Sequence, residues 1–198
     1  KYSIPMMPSI ILWWVINVSD RYMVTYFIGS AANGLYTAAS KIPNFIIMFS
    51  SIFIDAWQLS AVDEYDNDGK GRFFTNVFRV YSGGVFAAAS GLIVFCQLIT
   101  KILVSSSYYD SWQYVPILII STTLSCFVNF LASVYMASKK TIMGMVTAFA
   151  GAITNVVLNL ILIPRMGPSG AAVATVTAFI VVFITRAIDT KKYVNINF

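Results

Sequence analysis

The chain is 198 residues long, 58% hydrophobic and only 11% charged, with a formal net charge of +5. A soluble domain carries nearer ~25% charged residues, so this composition excludes a water-soluble globular protein and points to a bilayer. Histidine is absent, which removes the commonest metal ligand, general base and proton shuttle, and the positive balance, with no basic patch interleaved with aromatics, needs no nucleic acid to explain it.

A spanning helix needs about 20 mostly apolar residues, and six segments qualify, at roughly 4–28, 36–60, 77–100, 112–137, 141–163 and 168–188. The expected fold is therefore an all-α integral membrane protein, a six-helix transmembrane bundle. Because the chain starts at Lys1 and turns apolar almost at once, it is expected to be an internal piece of a longer protein. Residues 4–28 exceed the roughly 7 to 15 apolar residues of a signal-peptide core and read as a span.

In the first span Pro5 and Pro8 sit in the opening turns, where a missing backbone donor costs least. Trp13, Asn17, Asp20 and Arg21 follow at three- and four-residue spacing, on or near one face. From Ile4 to Ser19 a helix covers about 24 Å, short of the roughly 30 Å hydrocarbon core, so it is expected to run on through Asp20 and Arg21. Adjacent residues point about 100° apart, so these two charges cannot neutralise each other and each needs a partner elsewhere. The alternative is a helix ending near Ser19, with the pair at the membrane surface and Tyr22 and Tyr26 in an aromatic belt.

The second span carries a polar stripe, Lys41, Asn44, Met48, Ser51, Asp55 and Gln58, at steps of three or four. Such a face should turn from lipid toward other helices or water, although Lys41 and Asp55 lie close enough to the ends to snorkel. Pro43 breaks the backbone pairing beside Lys41. The polar loop 61–76 has part of the spacing of a calcium loop in Glu64, Asp66, Asp68 and Gly69, but its twelfth position is Thr75, so no metal site is expected.

The third span offers a small-residue face, Gly83, Gly84, Ala87, Ala88 and Gly91, suited to close helix packing. Thr122, Ser125, Asn129 and Ser133 form a weaker polar line in the fourth, and Gly144, Gly151, Asn155 and Asn159 in the fifth; both are expected to bond helix to helix. The sixth presents Gly170, Ala174 and Ala178 for close packing. Cys96 and Cys126 lie alone in apolar runs and are expected as packed thiols. Alternating the spans collects Lys1, Lys70, Arg72, Arg79, Lys139, Lys140, Arg186, Lys191 and Lys192 on one side against Lys101 and Arg165 on the other. The first side, with both ends of the chain, is expected to be cytoplasmic.

The stretch NVVLNLILIPRMGPSGAAVAT, Asn155 to Thr175, resembles the C-terminal half of polysaccharide-export flippases of the multidrug/oligosaccharidyl-lipid/polysaccharide transporter superfamily. SDRYMVTYFIG, then GLYTAASKIP and Ala56-Trp57, resembles the start of that same half. The resemblance covers essentially the whole chain and implies a two-lobed transporter of 12 or 14 spans. Residues 1–198 would form the first six helices of its second lobe, the N-terminal lobe being absent. It further implies a bacterial inner-membrane protein, not an enzyme and without a cofactor. Its partners would be membrane lipids and an undecaprenyl-pyrophosphate-linked oligosaccharide, which it would move across the bilayer by alternating access for surface polysaccharide export. By position Arg21 and Lys41 would be this lobe's substrate-binding cations, with Asn17 and Asn44 beside them. Arg suits phosphate oxygens as a bidentate donor and Lys as a point charge. Asp20 and Asp55 would be charge partners of these cations or would bind a coupling proton or sodium ion. A cation-coupled multidrug exporter of the same superfamily stays open as an alternative, as does an integral-membrane enzyme of envelope polysaccharide assembly.

Overall fold

The computed structural model describes residues 18–67 and 69–196. Among them every regular element is helical: residues 18–27 (α1), Ser30–Ala39 (α2), Asn44–Asp63 (α3), Lys70–Val94 (α4), Cys96–Leu103 (α5), a 3-10 segment Ser106–Gln113, Val115–Ala137 (α6), Thr141–Met166 (α7) and Pro168–Thr190 (α8). Five of these, α3, α4, α6, α7 and α8, are long and apolar enough to cross a membrane. The chain is thus an all-α, multi-pass membrane protein. Of the first expected span only the end is described, as α1; the helix does run through Asp20 and Arg21.

Two of the expected spans are interrupted, each for a local reason. The segment 36–60 divides into α2 and α3 across residues 40–43, because Pro43 has no N–H for the Ala39 carbonyl and its ring restricts Ile42 before it. The Ser40 hydroxyl donates to the Tyr36 carbonyl at 2.9 Å, which closes the end of α2. The segment 77–100 becomes α4 and α5, bent at Phe95 (φ −96°, ψ 11°). At the other end of the chain α7 and α8 are joined by a single residue, Gly167, at φ 62°, a conformation in which a side chain is strained. One turn on, a Cβ at Gly170 would collide with the Leu162 carbonyl, so glycine there lets α8 fold back directly on α7.

The helix α6 is the centre of the bundle. It packs on α8, α3 and α4, and 67% of its most apolar window is buried against 22% for α4. Around Trp57 the rings of Phe74 and Phe130 lie 5.0 and 5.1 Å away, and the indole N–H donates to Ser133 Oγ at 2.7 Å. The aromatic core thereby ties α3, α4 and α6 together. Cys96 and Cys126 are free and buried. Gly170, Ala174 and Ala178 are buried, as close packing requires.

The small-residue face of α4 is a correction. A Cβ at Gly83, Gly84 or Gly91 would meet nothing within 4 Å, and Gly84, Ala87, Ala88 and Gly91 instead line an apolar trough of about 560 Å³ between α3 and α4. Arg186 is a second correction. Rather than joining the charged fringe it is 2% exposed, with Nε on Thr147 Oγ1 at 3.0 Å and its terminal nitrogens on the Val128 and Gly144 carbonyls at 2.8 and 3.2 Å. It pins α8 to α6 and α7. The segment after α8 packs on the end of α6 and the start of α4: Tyr193 lies 6.2 Å from Tyr135, and a Cβ on Gly71 would stand 3.3 Å from the Asn195 carbonyl.

Candidate functional site

Asp20 is the residue that apolar composition does not explain, and its neighbourhood is built from four helices. The period of α1 turns Asp20 inward, to 3% exposure, and leaves Arg21 exposed. One carboxylate oxygen, Oδ1, accepts from Asn159 Nδ2 at 2.6 Å and from Asn155 Nδ2 at 3.3 Å. The other accepts from Thr175 Oγ1 at 2.5 Å and Tyr36 OH at 3.1 Å. Tyr36 comes from α2, the two asparagines from α7 and Thr175 from α8. No cation pairs with Asp20: among the described residues the single ion pair is Lys192 to Asp189, at 2.9 Å.

The donors are themselves cross-linked. Ser19 Oγ donates to Asn155 Oδ1 at 3.0 Å, Asn159 Nδ2 reaches the same oxygen at 3.1 Å, and Asn155 Nδ2 reaches Thr175 Oγ1 at 3.1 Å. Asn155 and Asn159 stand four apart on one face of α7, so both amides arrive at the carboxylate together. One atom is left over: Asn159 Oδ1 is buried with no hydrogen-bond partner. The site thus holds one negative charge among neutral polar groups, with a spare oxygen beside it. At the centre of a spanning helix a charge costs about 2.5 to 3.5 kcal/mol on insertion scales, which sets the upper scale of what such a cage has to offset. Chemically the cage can keep the carboxylate ionised through its four donors, or exchange that charge for a bound proton or small cation ringed by oxygens.

Asp20 lies on the wall of a hollow of about 290 Å³ between α1, α3, α6 and α8, which Arg21 and Asn44 also line. Of the cations expected at the site, Arg21 is therefore at the hollow. Lys41 is exposed in the turn between α2 and α3 and does not line it; Asn17 lies outside the described residues. Asp55 lines a separate hollow of about 240 Å³ between α3 and α6 with Ser51, Gln58, Ser125 and Asn129. Asn44, Ser51, Asp55 and Gln58 of the α3 stripe and Thr122, Ser125 and Asn129 of the α6 line thus face these cavities, while Ser133 is taken up by Trp57.

The sequence reading treats Asn155 and Asn159 as ties between helices and gives Tyr36 and Thr175 no role at the site. The visible signal was the asparagine pair itself, two amides at a four-residue interval in an apolar span. Comparison with family models, with curated proteins and with solved structures finds no match to this chain.

Proposed function

We propose that this chain is the second lobe of a two-lobed, ion-coupled transporter, a flippase that moves an undecaprenyl-pyrophosphate-linked oligosaccharide from the inner to the outer leaflet by alternating access. The reading is supported above all by one observation: a caged, unpaired carboxylate, Asp20, and a free guanidinium, Arg21, share the wall of one hollow in an otherwise apolar chain. Arg21 binds the diphosphate, for which its planar fork is suited. Asp20 takes up the coupling proton or sodium ion, and because side chains of α2, α7 and α8 all donate to that carboxylate, its charge state biases how these helices pack on α1. The protein then acts without covalent chemistry. Its charged ends, Lys70, Arg72, Lys139, Lys140, Lys191 and Lys192, face the cytoplasm.

The test is export in cells carrying the full-length protein. Arg21→Ala is expected to lower surface polymer at least about tenfold, the loss of one charge-assisted pair, with expression and membrane insertion kept. Lys41→Ala is expected to have the smaller effect, since Lys41 lies off the hollow. Undiminished export from the Arg21 variant would refute the substrate assignment. A second reading, a cation-coupled drug exporter, is favoured by the fact that the buried charge of the site is the anion and not a cation. Loss of drug resistance on Asp20→Asn, with polymer export absent from the wild type, would select it.

A further inference from the structure

We propose that the trough between α3 and α6 is a polyol subsite that seats a neutral sugar of the transported glycan beside the hollow that holds its diphosphate. The inference rests on the flippase reading and adds a place, and a chemistry, for the sugar. Ser51, Asp55 and Gln58 on α3 face Ser125 and Asn129 on α6 across a cavity of about 240 Å³. Ser51 is occupied, donating to the Met48 carbonyl at 2.9 Å. Among the described residues Asp55, Gln58, Ser125 and Asn129 make no hydrogen bond through their side chains. Four unspent polar groups facing one cavity within membrane-spanning helices call for water or a polar ligand, because leaving them dry costs free energy at each.

The character of the ligand follows from the donor set. A carboxylate accepts, an amide both donates and accepts, and a serine hydroxyl does either. That inventory matches the hydroxyls of a sugar, each a donor and an acceptor. It does not match a phosphate, since no Lys or Arg lines the trough and Asp55 would repel an anion. The two hollows adjoin, for Ile47 and Ser125 line both. Asn44 beside Arg21 and Asp55 in the trough stand eleven residues apart on one helix, about 16 Å along its axis. A diphosphate held at Arg21 therefore places the attached sugars toward Asp55, and the division of charge between the hollows sets the orientation.

The experiment uses the full-length protein in lipid nanodiscs and measures binding of two probes, undecaprenyl pyrophosphate and undecaprenyl-pyrophosphate-linked N-acetylglucosamine. The wild type is expected to bind the glycosylated lipid about tenfold more tightly, the contribution of one charge-assisted hydrogen bond to a hydroxyl. In the Asp55→Ala, Asn129→Ala double variant that ratio is expected to fall to about one, with the bare lipid still bound. Equal affinities in the wild type, or a ratio kept by the variant, would overturn the subsite while leaving the diphosphate site standing. Loss of both lipids by the variant would also overturn it, marking the trough as a contact surface within the protein. Binding of neither lipid by the wild type would overturn the flippase reading itself, and the subsite with it.

Discussion

Exchanging Asp20 for asparagine removes one charge and almost no volume, and so separates what the cage does for transport from what it does for folding. In the wild type the carboxylate accepts four hydrogen bonds, at 2.6 and 3.3 Å on one oxygen and 2.5 and 3.1 Å on the other. With asparagine the oxygen can remain toward Asn155 and Asn159, whose amides also keep Thr175 Oγ1 and Asn155 Oδ1, each at 3.1 Å, as second acceptors. The new NH₂ group then faces Thr175 and Tyr36. Thr175 can give its proton wholly to the Ala171 carbonyl, 3.1 Å away, and both hydroxyls can accept. Four charge-assisted bonds become neutral ones, a loss of about 1 kcal/mol each at most, and smaller on the ~0.6 kcal/mol average measured between membrane helices. Against this, the buried charge and its cost of about 2.5 to 3.5 kcal/mol disappear. The two nearly cancel. Asp20→Asn should therefore unfold within about 2 kcal/mol of wild type in detergent. Asp20→Ala orphans the donors of three helices and should lose about 3 kcal/mol or more. Transport behaves differently, for neither variant can exchange a carboxylate charge for a cation. In proteoliposomes holding the full-length protein, proton- or sodium-driven movement of lipid-linked oligosaccharide should fall to background in both. An Asp20→Asn protein that transports at the wild-type rate with an unchanged ion dependence would refute the coupling role. One that is grossly unfolded would refute the energetic balance.

The remaining predictions concern the scaffold that positions the site. Trp57→Ala should destabilise by about 3 to 5 kcal/mol, because the ring fills the space between Phe74 and Phe130 and its N–H is spent on Ser133; thermal unfolding measures this, and Trp57→Phe should recover most of the packing but not the hydrogen bond. Arg186→Lys should cost about 2 kcal/mol by the same assay, since one ammonium cannot span Thr147, Val128 and Gly144 on two helices as the guanidinium does; unchanged stability would show that the three contacts contribute nothing net.

Membrane class, the positions of the apolar helices and the oddity of Asp20 were legible without coordinates, because hydropathy and helical period belong to a single segment and act locally. So was the use of the α3 stripe as a cavity wall: Asn44, Ser51, Asp55 and Gln58 recur at helical spacing, and a polar face in a span has to avoid lipid; Ser125 and Asn129 of α6, by contrast, read as ties between helices and line a cavity instead. The proline break at residue 43 was equally visible, since the missing N–H is a property of the residue. What each face would meet was not. The glycines of α4 read as a packing face, yet they stand open, because close approach needs a second helix in register and α3 stands off Gly84 and Gly91 across the trough. Arg186 read as a charge at a helix end, and only the rotation of α8 against α6 and α7 brings two backbone carbonyls to its guanidinium.

Asp20 shows the division most plainly. The sequence by itself required a partner for that carboxylate, since its neighbour Arg21 points about 100° away around the helix. The partners, Asn155, Asn159 and Thr175, lie 135, 139 and 155 residues further along the chain. Only the tertiary structure selects them, because which side chains converge on one point depends on the mutual rotation and height of four helices, and no periodicity within any one of them carries that information.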